Sequence, residues 1–214
     1  MIDAAQAFAG QITGAVTMAG NLEQAVANIS TIRPDIDTSG VFTALNEMQT
    51  RVPQTAQQLG SALYDVFSSV TVTQEQGLEL VEQFARGAVG AATDAQTFGP
   101  AAMGVMNAYG LSVDEAAHIS DVFFNTVNAG VITGQELASS LGPVTQSAKL
   151  AGVSLDELGG FIAGVTKEGG PAAQNINNLN NLFIKITTTE AQKALHDMGV
   201  ATTDASGKFL PMAD

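Results

Sequence analysis

The chain has 214 residues, and its 8 Lys and Arg against 21 Asp and Glu give a formal net charge of −13, with no cysteine. Its 45% hydrophobic content permits a sizeable core, whereas 14% charged residues is too few for extended disorder. No two of the cations are adjacent, so we expect no sequence-specific nucleic-acid binding, and the lack of cysteine excludes disulfides and thiolate chemistry.

The N-terminal residues have the pattern of an amphipathic helix, because apolar side chains recur at spacings of three and four. We predict residues 1–20 as this helix, and Gly10 and Gly14 give it a small-residue face suited to close helix packing. The long uncharged stretches 4–22 and 95–113 contain Gln, Asn, Thr and Gly, which makes them too polar for comfortable membrane spans.

Further helical stripes follow along residues 21–199, which we predict as one helical core domain. Capping boxes, in which a Ser or Thr precedes a Glu or Gln by three residues, predict where helices begin. A Gly followed by an apolar residue predicts where they end, in the left-handed conformation. The boxes are Thr73 with Gln76, Ser112 with Glu115, Thr133 with Glu136, Ser154 with Glu157 and Thr187 with Glu190, and the stops are Gly110, Gly130, Gly152 and Gly199.

These signals predict an all-α fold, an array or bundle of about ten short helices with short Gly-containing connections that pack neighbours antiparallel. The segments 110–115 and 152–157 read alike at an offset of 42 residues, which indicates a weak helix-pair repeat. At the C-terminus, Asp204 and Gly207 fit a β-turn, so we predict residues 200–214 as a short turn or marginal hairpin. No helix stop precedes Asp214, from which we expect the sequence to be part of something longer.

The sequence contains only weak candidates for groups of side chains that could form a metal site or a catalytic site, and each has a simpler structural explanation. Glu115, His118 and Asp121 share a predicted helix, but a dinuclear metal site needs a second Glu-x-x-His, and His196 lacks one. The acids beside Ser112 and Ser154 fit favourable charges at helix N-termini better than a glycosidase pair. We therefore predict no catalytic, cofactor-binding or metal-binding residues, and no enzyme. The asparagines between 175 and 181 are expected to face water, or alternatively another copy of the chain.

Five stretches, in this order and spacing, resemble the core region of phage tail tape measure proteins and cover roughly nine-tenths of the chain. One departure is the absence of proline near Thr187–Thr189, and another is length, because such proteins usually run longer. The stretches are NLEQAVANISTIRPDID (21–37), SALYDVFSS (61–69), NAYGLSVDEAAHISDVFFNTVNAG (107–130), LASSLGPVTQSAKLAGVSLDELGGFIAGVTKEGG (137–170) and MGVATTDASGKFLP (198–211).

The resemblance implies a structural component of a phage or phage-derived tail, which occupies the tail-tube lumen, takes part in assembly and length determination, and is released at genome delivery. It implies tail-tube and tail-tip proteins as partners, a homo-oligomer of about three copies, location in the virion after assembly in the host cytoplasm, and membrane contact only at infection. The alternatives are a helical-repeat protein-binding module and a membrane-inserting segment. Because glycines and caps interrupt the helices, we expect a compact module rather than the ruler itself.

Overall fold

A computed structural model describes residues 19–200 and Asp204, and these residues form ten α-helices, one 3₁₀ turn and no strand. The all-α prediction is therefore confirmed. The predicted N-terminal helix and C-terminal hairpin lie largely outside the described residues. The helices are α1 (19–32), α2 (Thr38–Met48), α3 (Ala56–Ser69), α4 (Gln74–Gly90), α5 (Ala95–Tyr109), α6 (Ala116–Ala129, after a 3₁₀ turn at Val113–Glu115), α7 (Gly134–Leu150), α8 (Leu155–Lys167), α9 (Ala172–Ile186) and α10 (Thr189–Asp197).

The helices form two layers, because alternate helices pack side by side. In one layer α3, α5, α7 and α9 follow one another, and α1 joins it where Ala25 meets Gly60 of α3. The second layer contains α2, α4, α6 and α8. Consecutive helices pack on each other between the layers, as predicted. In several places, however, a helix packs more extensively on the neighbouring helix of its own layer, which follows two helices later in the chain. The chain therefore crosses from layer to layer at each connection, as in helical-repeat arrays.

One apolar core lies between the layers and runs their whole length. At its centre the ring of Phe98 from α5 lies 4.7 Å from that of Phe123 in α6 and 6.2 Å from that of Phe84 in α4, measured between centroids. Phe98 and Phe123 are almost completely buried. Tilted aromatic contacts of this kind add to the free energy gained by burying the rings.

Both prolines inside helices follow a glycine, in Gly99–Pro100 of α5 and Gly142–Pro143 of α7. A side chain on the residue before proline clashes with the pyrrolidine ring in the α conformation, and glycine avoids that clash. Each helix therefore tolerates its proline while remaining continuous.

Helix starts follow the local sequence closely. The Thr73–Gln76, Thr133–Glu136 and Ser154–Glu157 pairs each make both hydrogen bonds of a capping box. At the fourth position the Glu115 carboxylate accepts from the backbone N–H of Ser112 at 2.8 Å and from its hydroxyl at 3.1 Å, and a 3₁₀ turn precedes α6.

The Thr187–Glu190 box was wrong. Thr187 ends α9 as its C-cap, and the neighbouring Thr188 is the N-cap of α10, its hydroxyl accepting from the N–H of Ala191 at 3.3 Å. Because three threonines are adjacent, any of them has the side chain that an N-cap needs. The residue at which α9 ends determines which of them caps α10. A box at Thr55 and Gln58 fits the same sequence pattern and was missed.

Three of the glycine stops take positive φ angles, +69° at Gly110, +77° at Gly152 and +81° at Gly199. After Gly152, the N–H of Val153 donates to the carbonyl of Ala148 at 2.9 Å, which closes the last turn of α7.

Gly130 differs, because it is extended, with φ −96° and ψ −175°, and the left-handed prediction there was wrong. A Cβ at Gly130 would lie 2.8 Å from the Thr166 hydroxyl and 3.1 Å from the Cα of Ala163, so glycine is needed there for close approach of α8.

Candidate interaction surfaces

The N-terminal turns of α6 and α8 lie side by side, which brings two of the predicted caps together. His118 Nε2 of α6 lies 3.2 Å from Asp156 Oδ2 of α8, and both side chains are exposed. The imidazole thus contacts an acid from another helix, and it also interacts electrostatically with Glu115 of the preceding 3₁₀ turn. Within residues 19–200 no three His, Asp or Glu side chains are grouped so that they could hold a metal ion.

His196 is exposed in the last turn of α10, where its Nδ1 lies 3.9 Å from Asp197 Oδ1. A cation at this position would interact favourably with the C-terminal end of the helix dipole. Both histidines thus lie at the surface of the array, each beside a carboxylate.

The outer surface of the α1, α3, α5, α7 and α9 layer carries amide, hydroxyl and small side chains; we call it the amide face. On α5 the exposed positions recur every three or four residues, which places them in one stripe. The other helices of the layer continue the pattern. The face comprises Asn21, Gln24, Asn28 and Thr31 of α1; Gln57, Ser61, Tyr64, Asp65 and Ser68 of α3; Gln96, Pro100, Gly104 and Asn107 of α5; Gln135, Ser139, Gly142, Pro143 and Gln146 of α7; and Gln174, Asn177, Asn178 and Asn181 of α9.

The opposite surface, formed by α4, α6 and α8, carries more charged side chains than the amide face; we call it the acidic face. Its exposed charged or titratable side chains include Glu75, Glu79, Arg86, Asp114, Glu115, His118, Asp121, Asp156 and Lys167. The two layers therefore present chemically different surfaces.

An ion-pair cluster ties α4 to the connection before α3. Glu82 accepts from Arg51 Nη2 at 2.9 Å and from Arg86 Nη2 at 2.7 Å. The hydrogen bond from Arg51, supported by Arg86, holds the pKa of Glu82 below its usual value against the opposing effect of burial. These partly exposed pairs contribute modestly to stability and mainly fix the position of Arg51.

A polar groove of about 340 Å³ runs along the amide face between α1 and α3. Asn21, Asn28 and Gln57 line it together with Tyr64 and Asp65. Burial raises the pKa of the Asp65 carboxyl, because partial removal from water disfavours its charged form. Asp65 is the one carboxylate of the groove, whose other lining side chains are neutral.

The asparagines of α9 have two different roles. Asn175 is half-buried, and its Nδ2 donates to the carbonyl oxygens of Val165 at 3.0 Å, in the last turn of α8, and of Gly169 at 2.9 Å, just beyond that turn. The prediction that this asparagine faces water or another copy was wrong, because the C-terminal carbonyls of α8 lie within its reach. Asn177, Asn178 and Asn181 are exposed on the amide face.

Four of the eight large apolar side chains that are exposed in residues 19–200 lie toward the C-terminal end of the described chain. Leu182 and Ile184 of α9 are 52% and 50% exposed, and Met198 and Val200 are 69% and 48% exposed. Helix α10 buries none of its residues and packs on α9. The other four exposed large apolar side chains, Val89, Phe124, Val131 and Leu150, lie along the middle of the array, so such side chains are not confined to one end. In residues 19–200, no helix has both the length and the hydropathy needed to cross a bilayer.

Comparison with known proteins finds similarity to phage tail components. Residues 42–214 match the family described as phage-related minor tail protein. A probable tape measure protein of Clostridium phage phiCD119 is 30% identical over 95% of this chain, and a probable tape measure protein of Escherichia phage P2 is 30% identical over 51%. The tape measure protein of Pneumococcus phage Dp-1 is 25% identical over 51%. The chain spans 23%, 14% and 10% of these relatives respectively, and no solved structure matches it significantly.

Proposed function

The chain belongs to the phage-related minor tail protein family, and from that membership we propose that it works as a folded module of a tail tape measure protein. In this proposal the parent protein occupies the tail-tube lumen, takes part in tail assembly and length determination, and leaves at genome delivery. It meets tail-tube and tail-tip proteins and further copies of itself, after assembly in the host cytoplasm. The resemblance of the sequence to tape measure proteins supports these assignments.

The compact two-layer array supports the further proposal that this module is not the part of the protein that measures tail length. A single helix of residues 19–200 would be about 270 Å long, at about 1.5 Å per residue. The described helices instead have 9 to 17 residues each and fold back across a shared core. In this proposal other parts of the longer protein measure the length of the tail. This module instead anchors the protein to other tail components or joins copies of it.

In-frame changes in the full-length tape measure protein test the proposal. We expect deletion of the module to abolish complete tails, and its duplication to leave tail length nearly unchanged by negative-stain microscopy. Duplicating an equally long uninterrupted helical stretch elsewhere in the same protein is the control, and should lengthen tails by about 270 Å. Tails of normal number, length and infectivity without the module would show that it has no structural role.

Small-angle scattering of the 214-residue chain tests compactness by itself. We expect a radius of gyration of about 17 to 20 Å, as for a folded domain of this size. A single uninterrupted helix of 214 residues, about 320 Å long, would give about 90 Å. The second result would overturn the proposal that the chain is a compact module, and it would leave the family assignment intact.

A further inference from the structure

The charge of the described chain is divided unequally between the two layers. Helix α5 has no charged residue, and α3 has only Asp65, which is half-buried. In α7 and α9 the charges stand in the end turns, at Glu136, Lys149 and Lys185. The middle of the amide face is thus uncharged across α5, α7 and α9, which are neighbours in that layer. This contrasts with the net charge of −13 of the whole chain.

The side chains of that face are also complementary to themselves. An amide group donates and accepts hydrogen bonds, so Asn and Gln can pair with the same residue type on an identical surface. Carboxylates cannot pair with one another in this way at neutral pH. Gly104 and Gly142 have open space where a Cβ would be, and they allow another backbone to approach.

We propose that the amide face is the surface on which copies of this chain associate. Two copies meeting through their acidic faces would set carboxylates such as Glu79 and Asp121 against like charges. Two amide faces meet without that repulsion, in a symmetric contact whose polar groups satisfy each other. This assignment rests on one part of the proposed function, namely that copies of the protein associate. It adds the surface through which they do so.

Two isosteric double variants of the 214-residue chain test the interface by sedimentation equilibrium. Asn107→Asp with Gln146→Glu adds two negative charges to the amide face, on side chains that are exposed in α5 and α7. Asn125→Asp with Asn128→Asp adds the same charge to the exposed side of α6, also near the C-terminal end of a helix. We expect the first variant to weaken association at least tenfold, and the second to change it less than threefold.

Salt and thiol cross-linking give independent readings. Association should strengthen from low salt to about 0.5 M, because screening reduces the repulsion between the copies and no interfacial ion pairs are lost. Because the chain has no cysteine, a thiol introduced by Ser139→Cys can form a disulfide only with another copy. We expect faster dimer formation on a non-reducing gel than for Asn128→Cys.

A chain that remains monomeric at about 1 mM in high salt would overturn the proposal. Equal weakening by both double variants, or weakening by the α6 pair alone, would also overturn it by moving the contact elsewhere. Thermal unfolding of each variant excludes loss of fold as the cause. Tail assembly by the full-length protein is a separate measurement, so failure of this interface would not be confused with failure of the proposed function.

Discussion

Gly134, the first residue of α7, lies directly against the backbone carbonyl oxygen of Ala91 at the end of α4, and a Cβ at Gly134 would overlap that oxygen. Backbone atoms cannot move aside as a flexible side chain can. This contact therefore fixes how closely the α6–α7 connection approaches the α4–α5 connection.

The first prediction follows from that contact. Gly134→Ala should destabilise the chain by about 2 to 4 kcal/mol, because the clash forces the two connections apart. Gly164→Ala in α8 is the matched control, since a Cβ there meets nothing within 4 Å, and it should stabilise by about 0.5 to 1 kcal/mol. Urea unfolding measures both. Equal effects of the two substitutions would show that the close approach does not exist in solution.

The second prediction concerns Ala92, whose φ of +52° makes it the one non-glycine residue with positive φ in residues 19–200. The N–H of Thr93 donates to the carbonyl of Ala88 at 2.9 Å, so Ala92 occupies the position that glycine takes after α7. Ala92→Gly should raise stability by about 0.5 to 1 kcal/mol, by relieving the strain of a left-handed residue with a Cβ.

Ala27→Gly is its control, an exposed alanine within the ordinary helix α1. It should lower stability by about 0.5 to 1 kcal/mol. Opposite signs in urea unfolding are the expected outcome. A loss of stability in Ala92→Gly as well would mean that position 92 has an ordinary backbone conformation.

The sequence signals that succeeded are those contained within one turn of helix. Thr133 and Glu136 stand three residues apart, so both hydrogen bonds of their capping box form wherever the helix itself forms. Gly130 is different, because its role depends on Ala163 and Thr166, more than thirty residues further on. A pattern at Gly130 alone cannot distinguish a left-handed stop from a close approach.

The amide face could not be predicted for the same reason. Each stripe is readable in its own helix, and the uncharged residues of α5 stand plainly in the sequence. That α3, α5, α7 and α9 share a layer depends on packing between helices that are separated by a whole intervening helix. Only this alternation joins the separate stripes into one surface.

The third prediction concerns acid. The backbone N–H of Thr133, assisted by its hydroxyl, holds the pKa of Glu136 below its usual value, and Ser112 does the same for Glu115. An acid with a lowered pKa in the folded state stabilises the fold fully above its unfolded pKa of about 4.5. That contribution is lost as the pH falls through the lower, folded value. Stability should therefore decline as the pH falls below about 4.5.

Glu115→Gln combined with Glu136→Gln isolates this effect. The amide oxygen of glutamine keeps the cap, as Gln76 does at Thr73, and it does not titrate. The double variant should lose less stability than the parent chain between about pH 5 and pH 3 in urea unfolding. Parallel pH profiles would place the acid sensitivity elsewhere, with Glu82 and its arginine partners as the next group to change.

The fourth prediction concerns Asn175, which reaches from α9 to two carbonyl oxygens near the C-terminal end of α8. Without Asn175 the Val165 carbonyl keeps the N–H of Glu168 at 3.4 Å. The Gly169 carbonyl, in contrast, loses the Asn175 amide as its donor, and an acceptor left unpaired where it is partly shielded from water costs free energy. Asn175→Ala should lower stability by about 1 to 2 kcal/mol. Asn181→Ala, at an exposed position of the same helix, should change it by less than about 0.5 kcal/mol.

Hydrogen exchange locates that loss. Amide protons in the last turn of α8 should exchange faster in Asn175→Ala, while those in α4 should keep their protection, because the contact joins only the α8–α9 corner. Unchanged exchange throughout α8, with unchanged stability, would mean that water replaces the asparagine without cost.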